Sequence, residues 1–549
     1  MPGRENSPVI ARSLPTTRLL TTFVLGALIV GGGVLCGYVV VQSGFSMGLL
    51  LLLEAVYLAA VLARPVVGVL GSIAVLYLLP FGVNPVPVGA FHPSFLDLSL
   101  SVTSLSWLLR LLRRSDQELV ITPTIVAALL FLGLATASLL FGLAWTENER
   151  LRLFLKMVNS VLFALTVLNV LRSKESILSA ARLLVLVAAA AAMAAVVLYR
   201  LPVSTSHELL VGLGWLGYPT DDRVIRYIAD TTTLRAIGTA IDPNVLGGML
   251  MLALPLALTG AFDRRTVMPR GVLFAAAGVI GLALLLTYSR SAWLGALAAV
   301  GLLGPMGYRR AWGLGAVGGL AVLLLPQGRA FVERFVSGVE FADRAAQMRL
   351  GEYQDALRVI ADYPVFGVGF GFPEINIYIA TSSIYLLLGQ QTGLLGLGAF
   401  LLVIAVFFWE VMGRRMGETG PARNRPCRLA AAPQTMKNGT DEPLILSLSK
   451  GEGVARPALV VRQVHHERVS QPTPLQDNDE PVVGNGSLDG IKKGALAGVV
   501  GALITGPFDH YFMNLEFPHT VALLWLFMGL ALAAARIDRE QASELPDDA

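Results

Sequence analysis

Long apolar runs limit this chain more than any other feature. "LFAAAGVIGLALLLTY" at 273–288 and "LLVIAVFFWEVM" at 401–412 are too long and too uniform for helices that bury one face of a soluble core. The hydrocarbon core of a bilayer takes about 20 consecutive apolar residues per helix. Fourteen segments of this kind are readable: 19–42, 46–63, 65–82, 96–112, 122–143, 153–171, 177–200, 240–261, 271–288, 291–305, 311–326, 382–412, 491–508 and 519–536. Charged residues make up 15% of the 549, where a soluble domain carries about 25%. The pattern predicts an all-α, polytopic integral membrane protein with about 12–14 transmembrane helices. The first run has no small-residue cleavage site and is expected to remain as a helix.

Lys and Arg in short loops gather on the cytoplasmic side, which sets orientation. With Arg4, Arg12 and Arg18 inside, alternation also places Arg64, Arg110, Arg113 and Arg114, Arg172 and Lys174, Arg264, Arg265 and Arg270 inside. Arg309 and Arg310, Arg414 and Arg415, and Arg536 and Arg539 follow. The connections 43–45 and 83–95, predicted outside, hold no Lys or Arg. The net charge of +4 therefore reads as membrane topology and points to no nucleic acid. Both termini are expected in the cytoplasm, with a tail at 1–18 and another at 537–549. Transmembrane helices fill 19–326, with an outer loop at 201–239. A large extracytoplasmic loop with short helices occupies 327–381. One span follows at 382–412, then a polar, disordered cytoplasmic insert at 413–490, and the last two spans at 491–536. His465 and His466 fall in the insert and read as a solvated pair. Cys36 and Cys427 define no disulfide framework.

Charged and polar groups at the ends of such helices are costly to keep there and are candidates for chemistry. "TYSRSAW" (287–293) puts Arg290 in a tight outer turn, as a snorkelling residue or as a cation suited to phosphate. In "LRAIGTAIDPNVLGGML" (234–250), Asp242 and Pro243 read as a helix cap, and Gly247 and Gly248 as close-packing positions. Capping leaves Arg235 unexplained. A helix is readable at 343–361, with Arg349, Tyr353, Ala356, Leu357 and Ile360 along one stripe. Arg349 there needs an anionic partner: Glu352 or Asp355 on its own helix, or a ligand. "DYPVFGVGFGF" (362–372) ends this helix in alternating Gly and Phe. Its glycines let backbone N–H groups approach a ligand or another segment, and its phenylalanines suit lipid or helix ends. "FDHYFMN" (508–514) offers His510 as general base, with Asp509 to hold its charge or tautomer. No outer cluster has metal-ligand spacing, and no cofactor is expected.

Taken with "GTAIDPNVLGGMLMLALPLAL", "TYSRSAWLGAL", "RLGEYQDALRVIADYPVFGVGFG", "SSIYLLLGQQTGLLGLGAF" and "DHYFMNLEFPHTVALLWLFMGLAL", the chain resembles the O-antigen ligase and polymerase superfamily. These are bacterial membrane glycosyltransferases of cell-surface polysaccharide biosynthesis. The resemblance implies an undecaprenyl-diphosphate-linked glycan as donor and a glycan, lipid or protein as acceptor. It implies work beside membrane lipid at the outer face of the cytoplasmic membrane. By position, Arg290 matches the family's arginine in the "SR" turn and Arg349 the arginine opening the loop helix, with Arg235 a looser match for diphosphate binding. The ligases' histidine does not carry over, since Ser382 and Ser383 stand before Tyr385. Gln391 stands where the family often has glutamate. Those departures leave polymerisation, another acceptor, or His510 with Asp509 as substitute base. The rival class is a transporter or flippase of a lipid-linked or small anionic solute, which wants charges near mid-membrane. Few charges fall mid-span: Glu54 and Glu410 are the main ones, and Glu410 lies near an inner end.

Overall fold

The computed structural model describes residues 45–79, 93–113, 118–142, 148–216, 218–221, 224–228, 231–263, 266, 268–324, 344–370, 381–412 and 488–544. The first apolar run at 19–42, the 413–487 part of the insert, His92, Gly371 and Phe372 lie outside the described residues. The chain is an all-α membrane protein, and among the described residues it forms no strand, only an isolated bridge between Tyr227 and Leu234.

Its helices are α1 (Phe45–Ala63), α2 (Pro65–Leu78), α3 (Phe95–Arg113), α4 (Pro123–Phe141) and α5 (Asn148–Val170). α6 (Lys174–Arg200), α7 (Val203–Val211), α8 (Pro243–Phe262), α9 (Arg270–Leu286), α10 (Arg290–Leu303) and α11 (Arg309–Leu324) follow. The series closes with α12 (Arg344–Asp362), α13 (Ile384–Met412), α14 (Leu488–Thr505) and α15 (Pro518–Glu544). Seven of them, α3, α4, α5, α6, α8, α13 and α15, are long and apolar enough to cross a membrane. Thirteen of the fourteen apolar segments coincide with a described helix. Helix ends shift by a few residues from the sequence reading, as where α5 begins at Asn148 and α2 ends at Leu78, and two shifts lengthen the last pair of helices. α14 begins at Leu488, and α15 runs on to Glu544, past the end of its apolar run at 536. Polar pairs sustain these extra turns: Lys492 bonds Asp538 across the two helices at 2.7 Å, and Arg536 faces Glu540 one turn on at 3.6 Å.

α8 and α15 are the enclosed pillars, with 89% and 94% of their apolar stretches buried. α8 starts where the cap signal predicts. Asp242 accepts from the N–H groups of Asn244 (2.7 Å) and Val245 (3.2 Å), and Pro243 takes the first helical position. α8, α10 and α14 approach one another through glycine. A Cβ on Gly498 would lie 2.8 Å from the Leu252 carbonyl, and one on Gly501 would lie 2.6 Å from the Gly295 carbonyl. Such contact replaces the hydrophobic drive that lipid does not supply between helices.

The ends of the helices sort into two groups. At one end, Arg110 donates to the carbonyls of Leu62 and Ala63, Arg172 to that of Glu118, and Arg270 to that of Asp263. Glu410 is there too, accepting from the Thr124 hydroxyl at 2.7 Å and the Thr124 N–H at 3.1 Å and facing Arg539 at 3.8 Å. This is the basic end. Glu410 thus serves the N-terminus of α4 and is no mid-span charge. Glu54 lies in α1, its side chain outside the described residues. At the other end meet the α4–α5, α6–α8 and α9–α10 connections, α12, the start of α13 and the 506–517 turn. These are the connections that alternation groups together on the far side.

Candidate functional site

The 506–517 turn, between α14 and α15, is the hub of that second end. Asp509 is buried there. Its Oδ2 accepts from the Ser291 hydroxyl at 3.2 Å and faces Arg349 Nη2 at 3.7 Å. Its Oδ1 accepts the His510 backbone N–H at 2.9 Å. One carboxylate therefore ties α12, the first turn of α10 and its own turn. Arg290 immediately precedes Ser291 and opens α10. The N-cap of α10, Ser289, makes no side-chain cap, so the first N–H groups of this helix and the positive end of its dipole lie beside Arg290.

Arg235 reaches the same turn from the other side. Its Nε donates to the Thr287 carbonyl at 2.7 Å and its Nη2 to Asn244 Oδ1 at 2.8 Å. Two non-glycine residues flank these bonds in the left-handed region: Ile241 at φ 67° and Tyr288 at φ 51°. Each costs on the order of 1–3 kcal/mol and persists only where its surroundings over-determine it. Such strain gathers at the joint of this loop, α8 and the 287–290 turn. Arg235 has no described contact with Asp509 or Arg349.

α12 is held at its middle and just past its end. At the middle, the Tyr353 hydroxyl lies 2.5 Å from the Pro507 carbonyl and 3.2 Å from that of Ser382. Burial pushes this phenol up, against the opposing pull of Arg349, so it stays protonated and donates. Glu352 accepts the Ser382 N–H at 2.9 Å, and Asp355 pairs with Arg358 at 3.3 Å. Both carboxylates expected for Arg349 on its own helix are thus engaged elsewhere, and Arg349 turns to Asp509. Leu357 is a correction: it lies 56% exposed, because the buried face is centred on Ala356 and Val359 and the next residue turns away from it.

Beyond α12 the glycine-rich turn meets a break in α13. Gly393 takes φ 67° and ψ −175° inside that helix, which interrupts the ladder. The carbonyls of Gln390 and Gln391 accept instead from the N–H groups of Val368 (2.8 Å) and Gly369 (3.0 Å), while Leu394 N–H donates to the Pro364 carbonyl at 2.7 Å. Ser138 of α4 bonds the Gln391 carbonyl, and the buried Arg150 donates to the Val368 carbonyl at 3.1 Å. Phe366 packs on Phe141 and Phe370 on Phe154, at the ends of α4 and α5. The glycines serve another segment's backbone here. Gln391 spends its carbonyl on this docking and Ser382 its backbone groups on Glu352 and Tyr353 of α12, while Ser383 accepts the Leu386 N–H in the first turn of α13.

His510 stands beside the hub. Its Nε2 lies 2.9 Å from Asn514 Nδ2, and its buried Nδ1 makes no hydrogen bond, with Asp509 Oδ1 3.9 Å away. Burial pushes the neighbouring Tyr511 phenol up as well, so it stays neutral. Among the described residues no group of three His, Cys, Asp or Glu could hold a metal.

Residues 272–401 match the family described as O-antigen ligase. The matched stretch runs from the first turn of α9 into α13. It contains Arg290, Arg349, the glycine-rich turn and its docking partner. Arg235, Asp509 and His510 lie outside it. The match supports the O-antigen ligase and polymerase superfamily read from the sequence, and with it a membrane function of the O-antigen ligase type. No curated protein matches the chain. The sequence reading does not single out Ser291, Asn514 or Arg150. The first two stand one residue after Arg290 and four after His510, a proximity that was legible.

Proposed function

We propose that this protein transfers a glycan from undecaprenyl diphosphate to an acceptor hydroxyl in cell-surface polysaccharide synthesis, at the extracytoplasmic face of the bacterial inner membrane. The observation that carries this reading is the Arg349–Asp509–Ser291 link, which draws α12 to the start of α10 and so brings Arg349 to the turn that holds Arg290. In the transfer, the bond between the anomeric carbon and the diphosphate oxygen breaks and its electrons leave with the diphosphate. The acceptor oxygen bonds the same carbon, and its proton passes to a base. Charge grows on the diphosphate as the bond breaks. Arginines grip such an anion with paired, charge-assisted hydrogen bonds, worth most where water is scarce. Arg349 keeps donors to spare, since its fork has five and Asp509 occupies one edge. Arg235 supports the turn and completes the cationic rim. His510 is the candidate base and Asp509 the group that faces its Nδ1. The acceptor is a second glycan, a lipid or a protein.

The transport reading gains nothing from Glu410, which is spent at the basic end on Thr124 and Arg539. The test is alanine at Arg290 and at Arg349 in cells that display the glycan. Each should cut polymer or attachment by roughly 10²-fold, the loss expected for one preorganised charge contact, with lipid-linked precursor accumulating on the outer face. Precursor trapped on the inner face would instead establish a flippase.

A further inference from the structure

We propose that Asn514 is a positioning residue that fixes the tautomer of His510, keeping the ring proton on Nδ1 and the lone pair on Nε2. The inference rests on the proposed transfer only for its use, and on geometry for its substance. Asn514 sits four residues after His510 in the same turn. The Glu516 backbone N–H points at Asn514 Oδ1 at 3.0 Å. A backbone N–H only donates, so the atom it meets is the amide oxygen. The amide nitrogen is then the atom 2.9 Å from His510 Nε2. An amide nitrogen only donates, so Nε2 accepts and carries no proton. In the neutral ring the proton therefore sits on Nδ1.

The other face of the ring agrees. Nδ1 is buried and makes no hydrogen bond, and the nearby acceptor is Asp509 Oδ1 at 3.9 Å. That carboxylate is anchored by Ser291, Arg349 and the His510 backbone. A proton on Nδ1 points toward fixed negative charge, whereas a lone pair there would be repelled by it. The hydrogen bond that one nitrogen makes sets the state of the other.

The use follows from the same atoms. A base must offer a lone pair to the acceptor hydroxyl, and here only Nε2 has one. The hydroxyl takes the place of the Asn514 N–H at Nε2. Its oxygen bonds the anomeric carbon, its proton moves to Nε2, and the imidazolium that results carries its Nδ1–H toward Asp509. Asn514 touches only His510 and Glu516 in this scheme, so it positions the base and does not act on substrate.

The test uses the full chain labelled with ¹⁵N at its 6 histidines, in lipid nanodiscs, with His510→Ala assigning the signal. The wild type should show an unprotonated Nε2 and a protonated Nδ1. Asn514→Asp keeps the shape and replaces the donor with a second acceptor. It should bring a proton to Nε2 while Nδ1 keeps its own toward Asp509, so both ring nitrogens read as protonated and the other histidine signals hold their positions. Given purified lipid-linked glycan, that variant should lose roughly 10²-fold in kcat, the share of a general base, with KM near wild type. A wild-type ring protonated on Nε2 overturns the proposal by itself, as does an Asn514→Asp chain with the wild-type tautomer. Ring states as expected in both chains, with no glycan transferred by the wild type, would sink the proposed function and leave the role of Asn514 standing.

Discussion

Gly367→Ala tests the docking of the glycine-rich turn on α13. Gly367 sits at φ 67°, and a Cβ there would lie 2.3 Å from the Gln390 carbonyl oxygen and 2.6 Å from the Gly393 nitrogen. Both neighbours are backbone and have no rotamer to yield. The left-handed conformation alone costs an L-residue roughly 1–2 kcal/mol. Relief of the clash separates the segments and breaks the hydrogen bonds from Val368 and Gly369, at about 1 kcal/mol each. The sum is about 3–4 kcal/mol against the docked state, and at about 1.4 kcal/mol per decade the local opening constant rises roughly 10²–10³-fold. Hydrogen exchange read by mass spectrometry on peptides covering 363–370 and 388–394 reports it directly. Both should lose protection together, while peptides from α8 and α15 stay protected. Unchanged protection at 363–370 in a folded Gly367→Ala chain would refute the docking geometry.

Glycine at the helix contacts yields a second contrast. Gly295→Ala places a Cβ 2.1 Å from Met251 Sδ and 2.8 Å from the Gly501 carbonyl, whereas at Gly278 nothing lies within 4 Å. Thermal unfolding in detergent should show Gly295→Ala destabilised by about 1–3 kcal/mol, and Gly278→Ala unchanged or up to about 1 kcal/mol more stable. At the basic end, Glu410→Ala leaves the Thr124 N–H and hydroxyl without their acceptor and should cost about 1–3 kcal/mol by the same measurement. Thr124→Val in that background should then cost less than it does alone, and additive losses would show that the pair is not coupled.

The succession of spans was legible because lipid imposes a single rule on every helix, and because Arg64, Arg110, Arg172 and Arg270 obey the charge asymmetry of the loops. Arg349 was legible as a cation that needs an anion. Its partner was not, since helical spacing offers only Glu352 and Asp355, and Asp509 comes from a distant part of the chain. The glycines at 367 and 369 announced a close approach. What they approach stayed hidden, because "GQQTGLLGLGAF" reads as uninterrupted membrane helix and nothing in its composition betrays a left-handed Gly393. The cap at Asp242 could be read letter by letter, being local. The strain at Ile241 and Tyr288 could not, because it arises from the fit between three elements.

α12 carries one further consequence. Arg349, Glu352 and Tyr353 fasten its first half to the 507–509 turn and to Ser382, and the turn after its last residue is stitched into the broken α13. A rod pinned at two points does not swing like a trapdoor. In the proposed transfer, the lipid-linked donor therefore meets a standing parapet rather than a closing jaw.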